Sequence, residues 1–225
     1  MQTSIALLFA LLALPFAVPA VAQGFKFSQP DTAAQQQEQA RQYRIADLLA
    51  TPCRDDLKGK KIMVIIGEVQ SNGVVLAEQK NYGPHFQAIN ARLRYLGLTT
   101  YTPEEIRKQI AQAEIDAYFR NDPDRALSAA RRLGASFILR GLITADAQRN
   151  AVIPVNQVSI TMGFTLTGSN GRIISDVAAD AASYAGTNVS KMAQTLVEEQ
   201  ADEIVARLYS DYCRNAAVAA PKKAK

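Results

Sequence analysis

From Val158 to Thr167 apolar and polar residues alternate without a break: Val158, Ile160, Met162, Phe164 and Leu166 interleave with Ser159, Thr161, Gly163, Thr165 and Thr167. A period of two sends successive side chains to opposite faces of a β-strand. The stretch therefore predicts an antiparallel strand with one face in a core and the other wet or against a partner. Gly168-Ser169-Asn170-Gly171 supplies the hairpin turn, and Arg172 to Ala182 returns. A half-polar hairpin of this kind belongs toward an edge of its sheet.

The other segments place helices around that sheet. Lys61–Val69 is apolar on both faces, as in a central strand covered on both sides. Gln70-Ser71-Asn72-Gly73 has turn chemistry. Gly83-Pro84 opens a helix, Phe86, Ile89, Leu93 and Leu96 line it, and Gly97 closes it. A short strand over Leu98–Tyr101 leads to Thr102-Pro103-Glu104-Glu105, a capped helix start, and that helix is expected to run to Arg120. Asp122-Pro123-Asp124 starts another helix, lined by Ala126, Leu127, Ala130 and Leu133 and stopped by Gly134; Phe137–Ile143 is the next strand. Asn188 to Tyr212 forms the last helix, with Val189, Met192, Leu196, Ile204 and Leu208 along its main face. The resulting order is β-α-β-α-α-β-β-β-α. It predicts an α/β (α+β) two-layer sandwich with one mixed sheet of about five strands packed against helices.

The amino-terminal segment is an export address. Ile5–Phe16 is an apolar run broken only by Pro15, and Ala20-Val21-Ala22 fits the small-x-small rule for cleavage between Ala22 and Gln23. The run is shorter than the roughly 20 apolar residues of a comfortable membrane span. Met1–Ser4 carries no Lys or Arg, which leaves an uncleaved anchor as the competing reading. No Cys follows the run, against lipoprotein anchoring. Residues 1–22 are thus read as signal peptide, 23–57 as a linker with a candidate helix, 58–213 as one α/β domain and 214–225 as a disordered basic tail. The Gln-rich segment from Asp31 to Leu49 is a helix or a flexible arm, ended by Pro52.

Export gives the two cysteines a context. Cys53 precedes the first strand and Cys213 ends the last helix; in an oxidising compartment such a pair usually bridges, the alternative being two unrelated buried thiols.

The chain is poorly equipped for familiar catalysis. Its one histidine, His85, sits at a helix start, where a surface or capping role is the ordinary one. No Ser stands in G-x-S-x-G context, one His with two bridged Cys cannot make a zinc site, and no Gly-rich phosphate loop occurs. The paired acids Asp55-Asp56, Glu104-Glu105 and Glu198-Glu199 read as solvated faces. Asp146, Asp176 and Asp180 lie on strands and would share the polar face of the sheet. Tyr82, Tyr95, Tyr101, Tyr118, Tyr184, Tyr209 and Tyr212 would have to converge to stack a glycan. Asn188-Val189-Ser190 matches a glycosylation sequon but is explained by a helix cap. With a net charge of +4 and no basic-aromatic stripe, nucleic acid is not an expected partner. No catalytic, cofactor-binding or metal-ligating residue is assigned.

Certain runs carry a family resemblance: Lys60-Lys61-Ile62-Met63-Val64-Ile65, Leu93-Arg94-Tyr95-Leu96-Gly97, Ala130 through Gly141 with its Leu133-Gly134-Ala135 core, and the hairpin from Thr167 to Ser175. Over roughly residues 58–213 the chain resembles the periplasmic α/β domains of the curli secretion channel (CsgG-like) family. It is similar also to the outer-membrane activators of penicillin-binding proteins, the flagellar assembly protein T and the amino-terminal domain of TolB. The resemblance implies a non-catalytic domain for protein–protein contact in the periplasm. The chain departs from those families in having no lipidated Cys, no long alternating insertions and no following β-propeller. The expected function is an exported periplasmic accessory protein of envelope assembly or secretion, with an envelope protein as partner and self-association as a further outcome. A small-ligand or glycan-binding module is the runner-up, and a hydrolase using aspartates the third reading.

Overall fold

The computed structural model describes residues 32–69, 75–76, 83–120, 123–153, 155–185 and 188–219. The signal segment, its cleavage position, the turn at 70–73 and residues 220–225 lie outside them. Six strands form one mixed sheet: β1 (Lys61–Val69), β2 (Val75–Leu76), β3 (Thr99–Thr100), β4 (Phe137–Arg149), β5 (Asn156–Gly168) and β6 (Ile173–Ala185). Their order is β2-β1-β4-β5-β6, with β3 also pairing β1. β1 runs parallel to β3 and β4, and β4-β5-β6 is an antiparallel meander. The crossover from β1 to its parallel neighbour β4 consumes the helices α3 (Pro84–Tyr95), α4 (Pro103–Gln109), α5 (Gln112–Phe119) and α6 (Pro123–Leu133). Two further helices, α1 (Thr32–Leu49) and α2 (Arg54–Leu57), precede the sheet, and α7 (Val189–Ala219) follows it.

Alternation in the strands becomes two cores. On one face Val64, Leu139 and all five apolar residues of the alternating β5 stretch pack with Ile89 and Leu93 of α3 and Leu196, Ile204 and Leu208 of α7. On the other, Met63, Ile65 and Ile138 pack with Ile106, Ile115, Phe119 and Ala130. The predicted sandwich of one mixed sheet and helices is present, with α4–α6 laid over the β1/β4 half of the second face. Cys53 and Cys213 are joined, their Cα atoms 5.6 Å apart.

The structure corrects three local readings. The helix expected from Pro103 to Arg120 is two helices, because Ile110 turns extended (φ −130°, ψ 121°). Ile106 and Ile110 stand four apart and so do Ile115 and Phe119, but the five-residue step between the pairs would carry the second pair off the first pair's face in an unbroken helix. Breaking at Ile110 lets all four side chains reach one core. The Thr102 capping box is formed as expected, with Glu105 N–H donating to Thr102 Oγ1 at 3.2 Å and Thr102 N–H donating to the Glu105 carboxylate at 2.7 Å. β4 outruns its expected end at Ile143 by six residues, pairing with β5 all the way to Arg149. The half-polar hairpin lies toward an edge as expected, β6 being the edge strand and β5 its inner neighbour. Finally, α7 does not stop at Cys213 but continues to Ala219.

Of the two readings of the Gln-rich segment, helix or flexible arm, the helix is present as α1. It lies along α7 through buried Ile45, an Arg44–Glu203 ion pair at 3.5 Å and a hydrogen bond from Arg41 to the Glu199 carbonyl. Behind it the Tyr209 hydroxyl donates to the Thr51 carbonyl.

Candidate docking surface

The second face of β5 and β6 has no helix over it among the described residues. Strand register sets its composition. Thr144, Thr161 and Asp180 form one rung across β4, β5 and β6, and Leu142, Gly163 and Ala178 form the next. Asp176, Ala178, Asp180 and Ala182 are exposed, as is Tyr184 at 57%. With Gly163 opposite Ala178, the middle of the face is flat, and a Cβ built on Gly163 meets nothing within 4 Å. The far side of β6 carries the opposite pattern: Ser175 and Val177 are buried against α7, and the Ser175 hydroxyl donates to Asp211 at 2.7 Å.

β6 also ends the sheet. It pairs with β5 alone among the described residues, so one side of a 13-residue strand has no neighbouring strand; side chains of α7 reach two of its carbonyls, Asn215 Nδ2 donating to Ile174 O at 2.7 Å and Arg207 Nη1 to Ala178 O at 3.5 Å. Exposed edges of that length are templates for pairing with another chain unless blocked. β6 has no Pro and no Lys along it.

At one end of the same sheet the β4–β5 hairpin projects beyond the helices. Ala145 to Arg149 are exposed on both faces. The tip is ordered by Asn150, whose Oδ1 accepts from the N–H groups of Val152 at 2.8 Å and Ile153 at 3.2 Å. It holds Val152 (90% exposed) and Ile153 (51%) in solvent. Sequence reading missed this tip; its signal was Ala151-Val152-Ile153 directly after a turn-forming Asn.

The residues singled out for chemistry do not assemble into a reaction centre. Asp146, Asp176 and Asp180 share the open face, opposite Ser159, Thr165 and Thr161 of β5. Asp176 and Asp180 are four residues apart on one strand, about 13 Å, and Asp146 lies two strands from Asp180, about 12 Å away. Neither spacing lets carboxylates share a proton or a metal. No group of three or more His, Cys, Asp or Glu is placed to hold a metal among the described residues. The tyrosines separate: Tyr101, Tyr209 and Tyr212 are core residues, while Tyr95 and Tyr184 are exposed on α3 and β6. Tyr95 is stacked by Arg54 at 5.0 Å. Tyr82 and the side chain of Tyr118 lie outside the described residues. Asn188 acts as a cap, its Oδ1 accepting from Lys191 N–H at 2.9 Å.

His85 is a structural tie. Its Nδ1 lies 2.8 Å from Glu68 Oε1 and joins the end of β1 to the start of α3. That hydrogen bond is the main cause holding the Glu68 carboxyl below its ordinary value of 4.5. A depressed carboxylate stabilises the fold in full above its unfolded pKa and loses that contribution as pH falls through the folded one. In His85→Ala the Glu68 side chain is expected to titrate nearer the ordinary value in a carbon-detected NMR titration. An unchanged midpoint would show that the pair does not set it.

No known family model matches the chain, and no curated protein does. Solved structures do. The chain is 16% identical to the PelC dodecamer from Paraburkholderia phytofirmans, covering 68% of this chain and 88% of that one with a TM-score of 0.40. It is 16% identical to the hypothetical protein CT253 from Chlamydia trachomatis, over 70% of this chain and 99% of that one, TM-score 0.49. With the LpoB C-terminal domain from Salmonella enterica it shares 17% identity over 63% of this chain and 94% of that one, TM-score 0.39. At such identities and TM-scores these likenesses carry no argument about function. Among the described residues no helix is long and apolar enough to cross a membrane.

Proposed function

We propose that this chain is an exported, non-catalytic accessory protein of envelope assembly or secretion in the periplasm, with the leader removed between Ala22 and Gln23. It docks a partner protein on the uncovered β5–β6 face and the free edge of β6. The observation that carries this reading is the edge strand itself. It is 13 residues long, backed by a packed helix on one face and bare on the other. A bare face of Thr, Ala, Gly and Asp is polar enough to stay in water alone and flat enough to accept another protein's surface. The Val152–Ile153 tip adds an apolar anchor at the far end of the same sheet. The export-signal pattern of residues 1–22 and the CsgG-like resemblance support an envelope protein as the partner.

The test is photo-crosslinking in intact cells, with the reactive group at Ala178 or Ala182 and a control at Gln36 on the outer side of α1. A discrete adduct from β6 that is absent from α1 is expected, and Ala178→Lys should abolish it without changing the circular dichroism spectrum. Adducts with the chain itself would identify a homo-oligomer as the occupant. Equal background from all three positions would refute the docking reading.

A further inference from the structure

At the end of the sheet opposite the hairpin tip, about 40 Å along β4, three cations line an open cleft, two in one part of it and one in the next. Two contiguous cavities of about 490 Å³ and about 320 Å³ share Ser136, Phe137 and Ser169 as their common wall. Lys60 immediately precedes β1, Arg131 lies in the last turn of α6, and Arg172 in the β5–β6 turn. Ser136, Ser169, Asn170, Asn215 and the Tyr212 hydroxyl supply neutral polar groups between them, and no carboxylate lines either cavity.

The way these cations are held differs from four arginines elsewhere that meet acids: Arg41 with Glu38, Arg92 with Asp202, Arg132 with Glu114 and Arg207 with Glu203, all at 2.9 Å or less. In the cleft the anchors are neutral. Lys60 Nζ donates to Tyr212 Oη at 2.8 Å and lies over the rings of Phe137 at 5.7 Å and Tyr212 at 5.4 Å. Arg131 Nε donates to the Ser169 carbonyl at 3.3 Å. Arg172 Nη2 reaches Asn215 Oδ1 at 3.5 Å, and Arg172 N–H donates to Asn170 Oδ1 at 3.0 Å. Among the described residues, none of the three forms an ion pair. Mutually repelling cations fixed by neutral groups around a hydroxyl-lined hollow leave an unneutralised charge of +3 whose natural complement is an oxyanion.

We infer that this cleft binds a phosphoryl group carried on a polar body. Guanidinium and ammonium groups supply the charge and the hydrogen-bond donors that a phosphate dianion takes up. A cleft of several hundred Å³ has room for the remainder of a phosphorylated headgroup or sugar. The cleft adjoins the start of β6, whose Ile174 lines it, and its assignment does not rest on the docking reading.

The test uses the purified protein and inorganic phosphate at pH 7.5, with sodium chloride at matched ionic strength as reference. Amide resonances of Ser136, Ser169 and Asn170 are expected to shift with phosphate and not with chloride. In Arg131→Gln/Arg172→Gln, whose replaced side chains are exposed, the dissociation constant should rise at least about tenfold, as expected for losing charge-assisted hydrogen bonds. A circular dichroism melt verifies the fold of the variant. Vesicles of phosphatidylcholine with and without phosphatidylglycerol separate the sources. Sedimentation of the native chain alone with the anionic vesicles assigns the phosphoryl group to a lipid headgroup; response to soluble phosphate without vesicle binding assigns it to a soluble phosphorylated molecule. Shifts equal in chloride and phosphate, or unaltered in the double variant, overturn the proposal whatever the vesicles do.

Discussion

Removing the Cys53–Cys213 bridge is expected to lower the melting temperature by about 10–20 °C. The bridge closes a separation of 160 residues. Loop-closure entropy for a ring of that size corresponds to at most about 5 kcal/mol of stabilisation, and in a chain of this length each kcal/mol moves the midpoint by about 2–4 °C. Cys213 is buried beside Tyr209 and Tyr212, so Cys53→Ala/Cys213→Ala is the cleaner variant and avoids placing a lone hydroxyl in the core. Calorimetry on the double variant and on the reduced native chain should agree. Hydrogen exchange should also rise in α1, which buries one side chain, Ile45, and otherwise meets α7 through Arg41 and Arg44. A melting temperature unchanged by either treatment would remove the bridge from any stabilising role.

The second large effect lies in the centre of the sheet. Gly141 of β4 stands opposite Phe164 of β5, and the Phe164 ring fills the space above the glycine: a Cβ there would come within 2.8 Å of Phe164 Cδ1 and 3.2 Å of Ile66 Cγ1. Phe164 has no exposed surface. Truncation by Phe164→Ala is expected to cost about 3–5 kcal/mol through lost burial and a residual cavity. Gly141→Ala should cost about 1–3 kcal/mol by overpacking, because both obstructing atoms belong to a packed core. The two sites share one volume, so Gly141→Ala/Phe164→Leu should be less destabilised than the sum of its single changes. Urea unfolding of the four proteins measures this. Strict additivity, or a neutral Gly141→Ala, would show that ring and glycine do not compete for space.

Much of this packing was legible before the structure. Alternation across Val158–Leu166 named one inner face of β5 residue by residue, because a period of two leaves little freedom once one face is buried. Lys61–Val69 was recognisable from its unbroken apolar run, and its two faces do supply two different cores. The break at Ile110 was not visible. Helix propensity and charge continue through Gln109 and Gln112, and the bend is imposed by where Ile115 and Phe119 must go. The β4 extension to Arg149 was hidden for a related reason: Ala145–Arg149 carries no large apolar side chain on either face, and pairing with β5 makes it a strand.

Functional surfaces were less legible than the core. The polar half of β5 was read as wet or docked, and the structure leaves it bare, yet nothing in a single sequence says that α4–α6 stop short of it. The cleft cations come from residues 60, 131 and 172, too far apart in sequence for local pattern to join them. The candidate aspartates illustrate the converse. They were correctly put on one face, but a strand spaces residues on the same face too widely for Asp176 and Asp180 to cooperate.

The bridge has a mechanical meaning as well. Tension applied between a point before Cys53 and a point after Cys213 would first peel α1 from α7 and then meet a covalent link whose ends are 5.6 Å apart. Everything between the cysteines, the whole sheet included, is then shunted out of the load path. Pulled by its flanks, the oxidised domain would lengthen by little more than its flanking helices, whereas the reduced domain would pay out the intervening 160 residues as slack.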